Sequence, residues 1–182
     1  LSGLNEKRSL GKGEIIRPFL NLSKSDLEIF VHKNDLPFVE DDTNLNNDFD
    51  RNFLRNEIIP CLEKRWSKLP ERAALTSLTA KKKKLSLDFM LEKNFKKEIS
   101  TGIIERAKFI ETPSFLIEEL IRLILRKKGI ALPSQKVLSE IMNVFFHKKP
   151  SNESYVEWSR KDGEQIGGKV FSEHNDIILK KK

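Results

Sequence analysis

Apolar residues recur at helical spacing through most of this chain and turn to short alternating runs only near its end. Ile15, Ile16, Phe19 and Leu20 around Arg17-Pro18 predict a short strand running into a turn, after an irregular stretch over residues 1–14. Ser23 with Asp26 three residues on is a capping-box pair, so a helix is expected over about 24–34 with Leu27, Phe30 and Val31 on its apolar face. Asn34 is its expected left-handed stop, and Pro37 forbids continuation. Asp50 is placed to cap a helix over 51–59 that turns Phe53, Leu54 and Ile58 to the core. Pro60 then opens a second short helix.

A long helix is expected over about 68–97, carrying Leu75, Leu78, Leu85, Leu87, Phe89, Met90 and Phe95. Residues 98–111 read as a linker with one apolar piece at Ile103-Ile104. Thr112-Pro113 and Gly129 bracket a helix over 113–128, and Pro133-Ser134 opens another bearing Val137, Leu138, Ile141, Val144 and Phe145. These two form a helical hairpin that buries a shared face. Three short strands follow, over 155–158, 166–171 and 177–179, with His174-Asn175-Asp176 as the last turn. The fold class is therefore mainly α with a small C-terminal antiparallel β-meander.

Composition narrows the function classes. The chain has 182 residues and a formal net charge of +7, which suits an acidic partner such as nucleic acid or a solvated lysine-rich surface. The single cysteine, Cys61, cannot form an internal disulfide and reads as a small core residue. No apolar run approaches the ~20 residues of a membrane span, so no membrane association and a cytoplasmic location are expected. His32, His147 and His174 are scattered away from Cys61, so no metal site is expected. Gly11-Lys12-Gly13 is a turn and lacks the spacing of a phosphate loop.

The densest polar chemistry lies in Glu40 to Leu62, where an acidic, Asn-rich turn runs into a helix with Arg51, Asn52 and Arg55. A guanidinium offers a rigid fork for phosphate oxygens. The arginines could instead pair with Glu40, Asp41 or Asp42 and fasten the turn, with Asn44 and Asn52 fixing it by bonds to backbone. Lys81, Lys82, Lys83 and Lys84 form a run at the centre of the long helix. They read as a solvent face or as contacts to a phosphate backbone.

The order IIRPFL, a capped helix, and LPFVEDDTNLNNDFDRNFLRNEIIPCLEKRW closely resembles the bacterial tRNA(Ile)-lysidine synthetases. The stretch GIALPSQKVLSEI and the closing strands are similar to the first C-terminal domain of that family, and LSGLNEKR is similar to the stretch before its RPLL motif. The resemblance implies an ATP-dependent ligase that adenylates the wobble cytidine of a tRNA(Ile) with a CAU anticodon and joins lysine to it. It implies three regions: 1–59 as the end of a PP-loop ATP-pyrophosphatase domain, 60–98 as linker helices, and 99–182 as a tRNA-binding domain.

Arg17, Arg51, Asn52 and Arg55 are then expected near substrate or phosphate, and Glu40, Asp41 and Asn44 to fix the turn or attract lysine. Lys81 to Lys84, Arg122, Arg126 and Lys127 are expected against the tRNA backbone, and Trp66 in the core. ATP and Mg2+ would serve the full-length enzyme, with neither bound by this chain alone. The family's SGGxDS loop does not occur in these residues, so the chain is expected to be the C-terminal half and inactive by itself. A homodimer is left open. The alternative is a stand-alone basic helical RNA-binding or protein-interaction module, and a third reading is a purely structural helical adaptor.

Overall fold

The computed structural model describes residues 4, 6–10, 13–39, 41–151, 153–159 and 166–182. It is mainly helical with two small antiparallel sheets, and it divides into two compact units, Leu1–Lys83 and Lys84–Lys182.

The first unit opens with a hairpin of β1 (Lys7–Leu10) and β2 (Gly13–Ile16), in register Lys7 to Ile16 and Leu10 to Gly13. The expected irregular start is thus partly strand: Lys7, Arg8, Leu10, Gly13 and Glu14 are exposed and do not alternate, so periodicity gives no signal. The expected turn at Gly11-Lys12 lies outside the described residues.

Helix α1 (Lys24–Lys33) has the full capping box at Ser23 and Asp26. Its end differs from expectation by one residue. Asn34 has φ −107°, and Asp35 takes the left-handed φ of 49°. The Asn34 amide instead donates to the Phe30 carbonyl at 2.8 Å.

Helices α2 (Asp50–Phe53) and α3 (Ile59–Arg65) are one continuous rod through a π turn, Leu54–Ile58. Asp50 is inside this helix, and the N-cap position falls to Phe49, which makes no side-chain cap bond. Pro60 does not restart a helix after a break. A proline lacks its own N–H and crowds the carbonyl four residues back. The wider turn accommodates it, with the Ile59 N–H donating to the Leu54 carbonyl.

Among the described residues, no apolar side chain of this unit is buried. Phe53, at 44% exposure, and Leu54 lie open, against expectation, and so do Cys61 and Trp66.

Helix α4 (Leu69–Asn94) runs for 26 residues, about 39 Å at 1.5 Å per residue. Three of its six leucines, Leu75, Leu78 and Leu85, are exposed. Only its last turns pack, through Leu87 and the fully buried Leu91, with Phe95 beyond.

Among the described residues, the hydrophobic core lies in the second unit. The expected linker is structured: α5 (Lys96–Thr101), β3 (Ile103–Glu105) and a 3-10 turn, Arg106–Phe109. Gly102, between the first two, has φ 77°, and a Cβ there would stand 2.9 Å from the Leu179 carbonyl oxygen. Close approach of backbone to backbone demands glycine at that point.

Helix α6 (Ser114–Lys127) buries Ile117, Leu120, Ile121, Leu123, Ile124 and Leu125. Pro113, rather than Thr112, occupies its N-cap position. Gly129 ends it at φ 63°, and the Ile130 N–H reaches back to the Leu125 carbonyl at 2.9 Å. Helix α7 (Gln135–Met142), capped by Ser134, continues into a second π turn, Asn143–His147.

The closing strands are β4 (Tyr155–Trp158), β5 (Gly168–Glu173) and β6 (Asp176–Lys181). They form the expected meander, and β3 adds a fourth strand at the free edge of β6, giving the order β3-β6-β5-β4. His174 and Asn175 both have positive φ, 49° and 74°, which makes a two-residue turn; Asp176 already belongs to β6. The Trp158 indole donates to the Ala131 carbonyl at 2.6 Å, and its ring lies where a Cβ on Gly168 would stand.

Candidate functional site

The polar segment of the first unit is a turn held by asparagines. Residues Asp42–Leu45 form a 3-10 turn, and the Asp41 carboxylate caps it. That carboxylate accepts from the Thr43 hydroxyl at 2.7 Å and from the Thr43 N–H at 2.9 Å. The two bonds hold the Asp41 carboxyl below its usual value, with the hydroxyl the larger cause and Arg51 a small addition.

Asn52 is the one buried side chain on α2, at 1% exposure. Its amide donates to the Thr43 and Asn46 carbonyls, each at 2.8 Å. Asn56, one helical turn later, donates to the Asn44 carbonyl at 3.1 Å and to Asn47 Oδ1 at 2.9 Å. Asn47 in turn donates to Glu57 at 3.2 Å. Residues four apart share a helix face, so Asn52 and Asn56 clamp the turn together.

Asn44 takes part through its backbone carbonyl, not its side chain. Asn56, Asn46 and Thr43 were not singled out from sequence. The spacing of Asn52 and Asn56 opposite an Asn-rich loop was the signal that could have found them.

Clamping the turn with Asn52 leaves Arg51 and Arg55 exposed. The Arg51 guanidinium lies 5.8 Å from the Phe49 ring centroid, and neither arginine forms an ion pair among the described residues. Asp41 is therefore spent on the turn rather than on the arginines. Glu40 lies outside the described residues. Arg17 is half-buried just after β2, its N–H donating to the Glu6 carbonyl at 2.8 Å.

The basic candidates elsewhere divide into two sets. Lys81, Lys82 and Lys83 are exposed on α4 without an ion pair among the described residues. In the second unit, Arg126 donates to Asp88 at 2.7 Å, Lys84 lies 4.0 Å from the same carboxylate, and Lys127 lies 2.7 Å from Glu92. Arg122 donates to Gln135 at 2.7 Å and neighbours Glu119 at 3.6 Å. These cations tie α6 to α4 and α7. Among the described residues no group of His, Cys, Asp or Glu could hold a metal ion, and no helix is long and apolar enough to cross a membrane.

Residues 1–62, which include this asparagine-clamped segment, match the family model described as a PP-loop domain. More particularly, the chain is similar along most of its length to proteins named tRNA(Ile)-lysidine synthase. It is 33% identical to the tRNA(Ile)-lysidine synthase of Coxiella burnetii over 98% of this chain and 41% of that protein. It is 34% identical to that of Buchnera aphidicola subsp. Acyrthosiphon pisum over 86% of this chain and 36% of that protein. The enzyme of Actinobacillus pleuropneumoniae serotype 3 is 30% identical over 78% of this chain and 35% of its own length. The chain thus spans about two fifths of the length of the relatives it matches.

Proposed function

We propose that this chain is the tRNA-recognising part of a tRNA(Ile)-lysidine synthase. In that enzyme ATP activates the wobble cytidine of the CAU anticodon by adenylation, and the ε-amine of lysine then displaces AMP. The observation that carries the reading is the similarity to enzymes of that name along nearly the whole chain. The geometry supports a part for Arg51 and Arg55. They project from a rod whose buried face is an asparagine clamp, so they are held at fixed spacing and available for phosphate oxygens of ATP or of tRNA.

No SGGxDS sequence occurs among these 182 residues, so in this reading the ATP loop comes from elsewhere in the enzyme and the chain alone does not complete ligation. The open apolar side chains Phe19, Phe30, Phe38 and Phe53 are then surfaces on which the remainder of a PP-loop domain packs. Mg2+ would enter with the ATP phosphates and not through a carboxylate cluster among the described residues. Lys81, Lys82 and Lys83 serve as sequence-independent contacts to the tRNA backbone.

Binding of the chain to unmodified tRNA(Ile) with a CAU anticodon, against elongator tRNA(Met), across a salt series tests the reading. Affinity that falls with salt and favours tRNA(Ile) is expected. No binding to either tRNA at low salt would overturn it. Replacing Lys81, Lys82 and Lys83 by Gln should flatten the salt dependence by about 0.9 in log–log slope for each phosphate no longer neutralised, without altering the preference.

A further inference from the structure

The outer face of the C-terminal sheet carries a pattern that packing does not explain. Val156, Trp158, Val170, Ile177 and Leu179 point inward and are buried. Their alternating neighbours line up across the strands in three rows. The central row is apolar: Ile103 opposite Ile178, Ile178 opposite Phe171, and Phe171 opposite Tyr155. One flanking row runs Lys180, Lys169, Glu157; the other runs Glu105, Asp176, Glu173. Tyr155 is 58% exposed and Ile103 38%.

The lysine flank leans over the aromatics. Lys169 Nζ lies 4.3 Å from the Tyr155 ring centroid, and Lys180 Nζ lies 4.6 Å from that of Phe171. Glu157 is engaged by Lys182 at 3.0 Å, and Glu105 by Lys108. Lys169 and Lys180 form no ion pair among the described residues.

We propose that this face binds an unpaired RNA nucleotide, its base against Phe171 and Tyr155 and its phosphate at Lys169 and Lys180. The inference rests on the RNA-binding reading above and narrows it to one surface. Aromatic faces take any base, so such a platform distinguishes unpaired from paired RNA rather than one sequence from another. The charge gradient supplies direction, because a phosphodiester is attracted to the lysine row and repelled by Asp176 and Glu173. A protein partner covering the same face would have to desolvate two unpaired ammonium groups, which RNA neutralises.

The test uses the full chain and a hexanucleotide RNA bearing one 2-aminopurine, with a blunt duplex of the same sequence as comparison. Quenching of the 2-aminopurine on binding is expected, with clearly weaker binding of the duplex. The double variant Tyr155→Leu, Phe171→Leu keeps apolar bulk and removes both rings; it should bind the hexanucleotide about tenfold more weakly at an unchanged melting temperature. Lys169→Gln with Lys180→Gln should lower the salt slope by about 0.7 for each phosphate no longer neutralised.

Binding of the leucine variant within twofold of wild type, or equal binding of duplex and single strand, would overturn the proposal. A chain that binds tRNA but not the hexanucleotide overturns this surface and leaves the RNA-binding reading standing. A chain that binds neither removes both.

Discussion

Asn52 does what a buried amide can do at a helix surface: one donor group satisfies two loop carbonyls. Asn52→Ala removes both bonds and leaves two partly buried carbonyls without their donor. A local loss of about 1–3 kcal/mol is expected, seen as faster proteolytic cleavage between Asp41 and Phe49 with the second unit's melting unchanged. Asp41 offers a separate test. Its carboxyl is held low by the Thr43 hydroxyl and N–H, so the charged form is favoured in the folded chain. A lowered folded value means that the stabilisation is fully present above the unfolded value of about 3.9 and is lost as pH falls through the lowered value. Thr43→Val should raise the Asp41 midpoint toward the ordinary aspartate value in an NMR titration. An unchanged midpoint would show that the hydroxyl bond does not form in solution. Gly102→Ala forces a Cβ against the Leu179 carbonyl at a left-handed φ, and should destabilise the second unit by about 1–3 kcal/mol in denaturant unfolding.

At the scale of elements, both π turns occur where a helix meets a constraint. Leu54–Ile58 gives Pro60 room, and Asn143–His147 ends α7 with carbonyls that no helical N–H reaches. Arg106, from the turn after β3, supplies the missing donors: its Nε donates to the Phe145 carbonyl at 2.9 Å and its Nη2 to that of Lys148 at 3.3 Å. A cation at a helix C-terminus also complements the helix dipole. Arg106→Ala should therefore cost about 2 kcal/mol in the unfolding of the second unit, whereas Arg106→Lys should recover only part of it because one ammonium cannot reproduce the fork. Equal stability of wild type and Arg106→Ala would show that water replaces the guanidinium there. The ion pairs of Arg126 with Asp88 and of Lys127 with Glu92 join α6 to the last turns of α4. Being partly or largely exposed, they set register more than stability.

Across the whole molecule, apolar burial is uneven. Every buried hydrophobic side chain among the described residues belongs to the second unit, from Leu91 to Leu179. Hydrogen exchange should accordingly be slowest at Ile121, Leu125, Ile141, Val170 and Leu179, and much faster throughout α1 and α2. Comparable protection in both units would contradict that division. What the sequence determined by itself is the set of features resting on local chemistry: the Ser23 capping box, the Gly129 stop, the α6–α7 hairpin and the alternating closing strands. The sequence also marked Arg51, Asn52 and Arg55 as a unit, through an acidic, Asn-rich turn joined to a helix and through the family resemblance. Tertiary structure decided the rest. Ile103-Ile104 became an edge strand only because β6 was there to pair with it. Phe53, Leu75 and Trp66 have core-like side chains yet stay exposed, because periodicity defines a face and not whether anything covers it. The three-row sheet face likewise exists only through the pairing of separate strands, while the asparagine clamp, whose partners lie six to twelve residues away, is signalled by local spacing but closed only by the folded geometry of the loop.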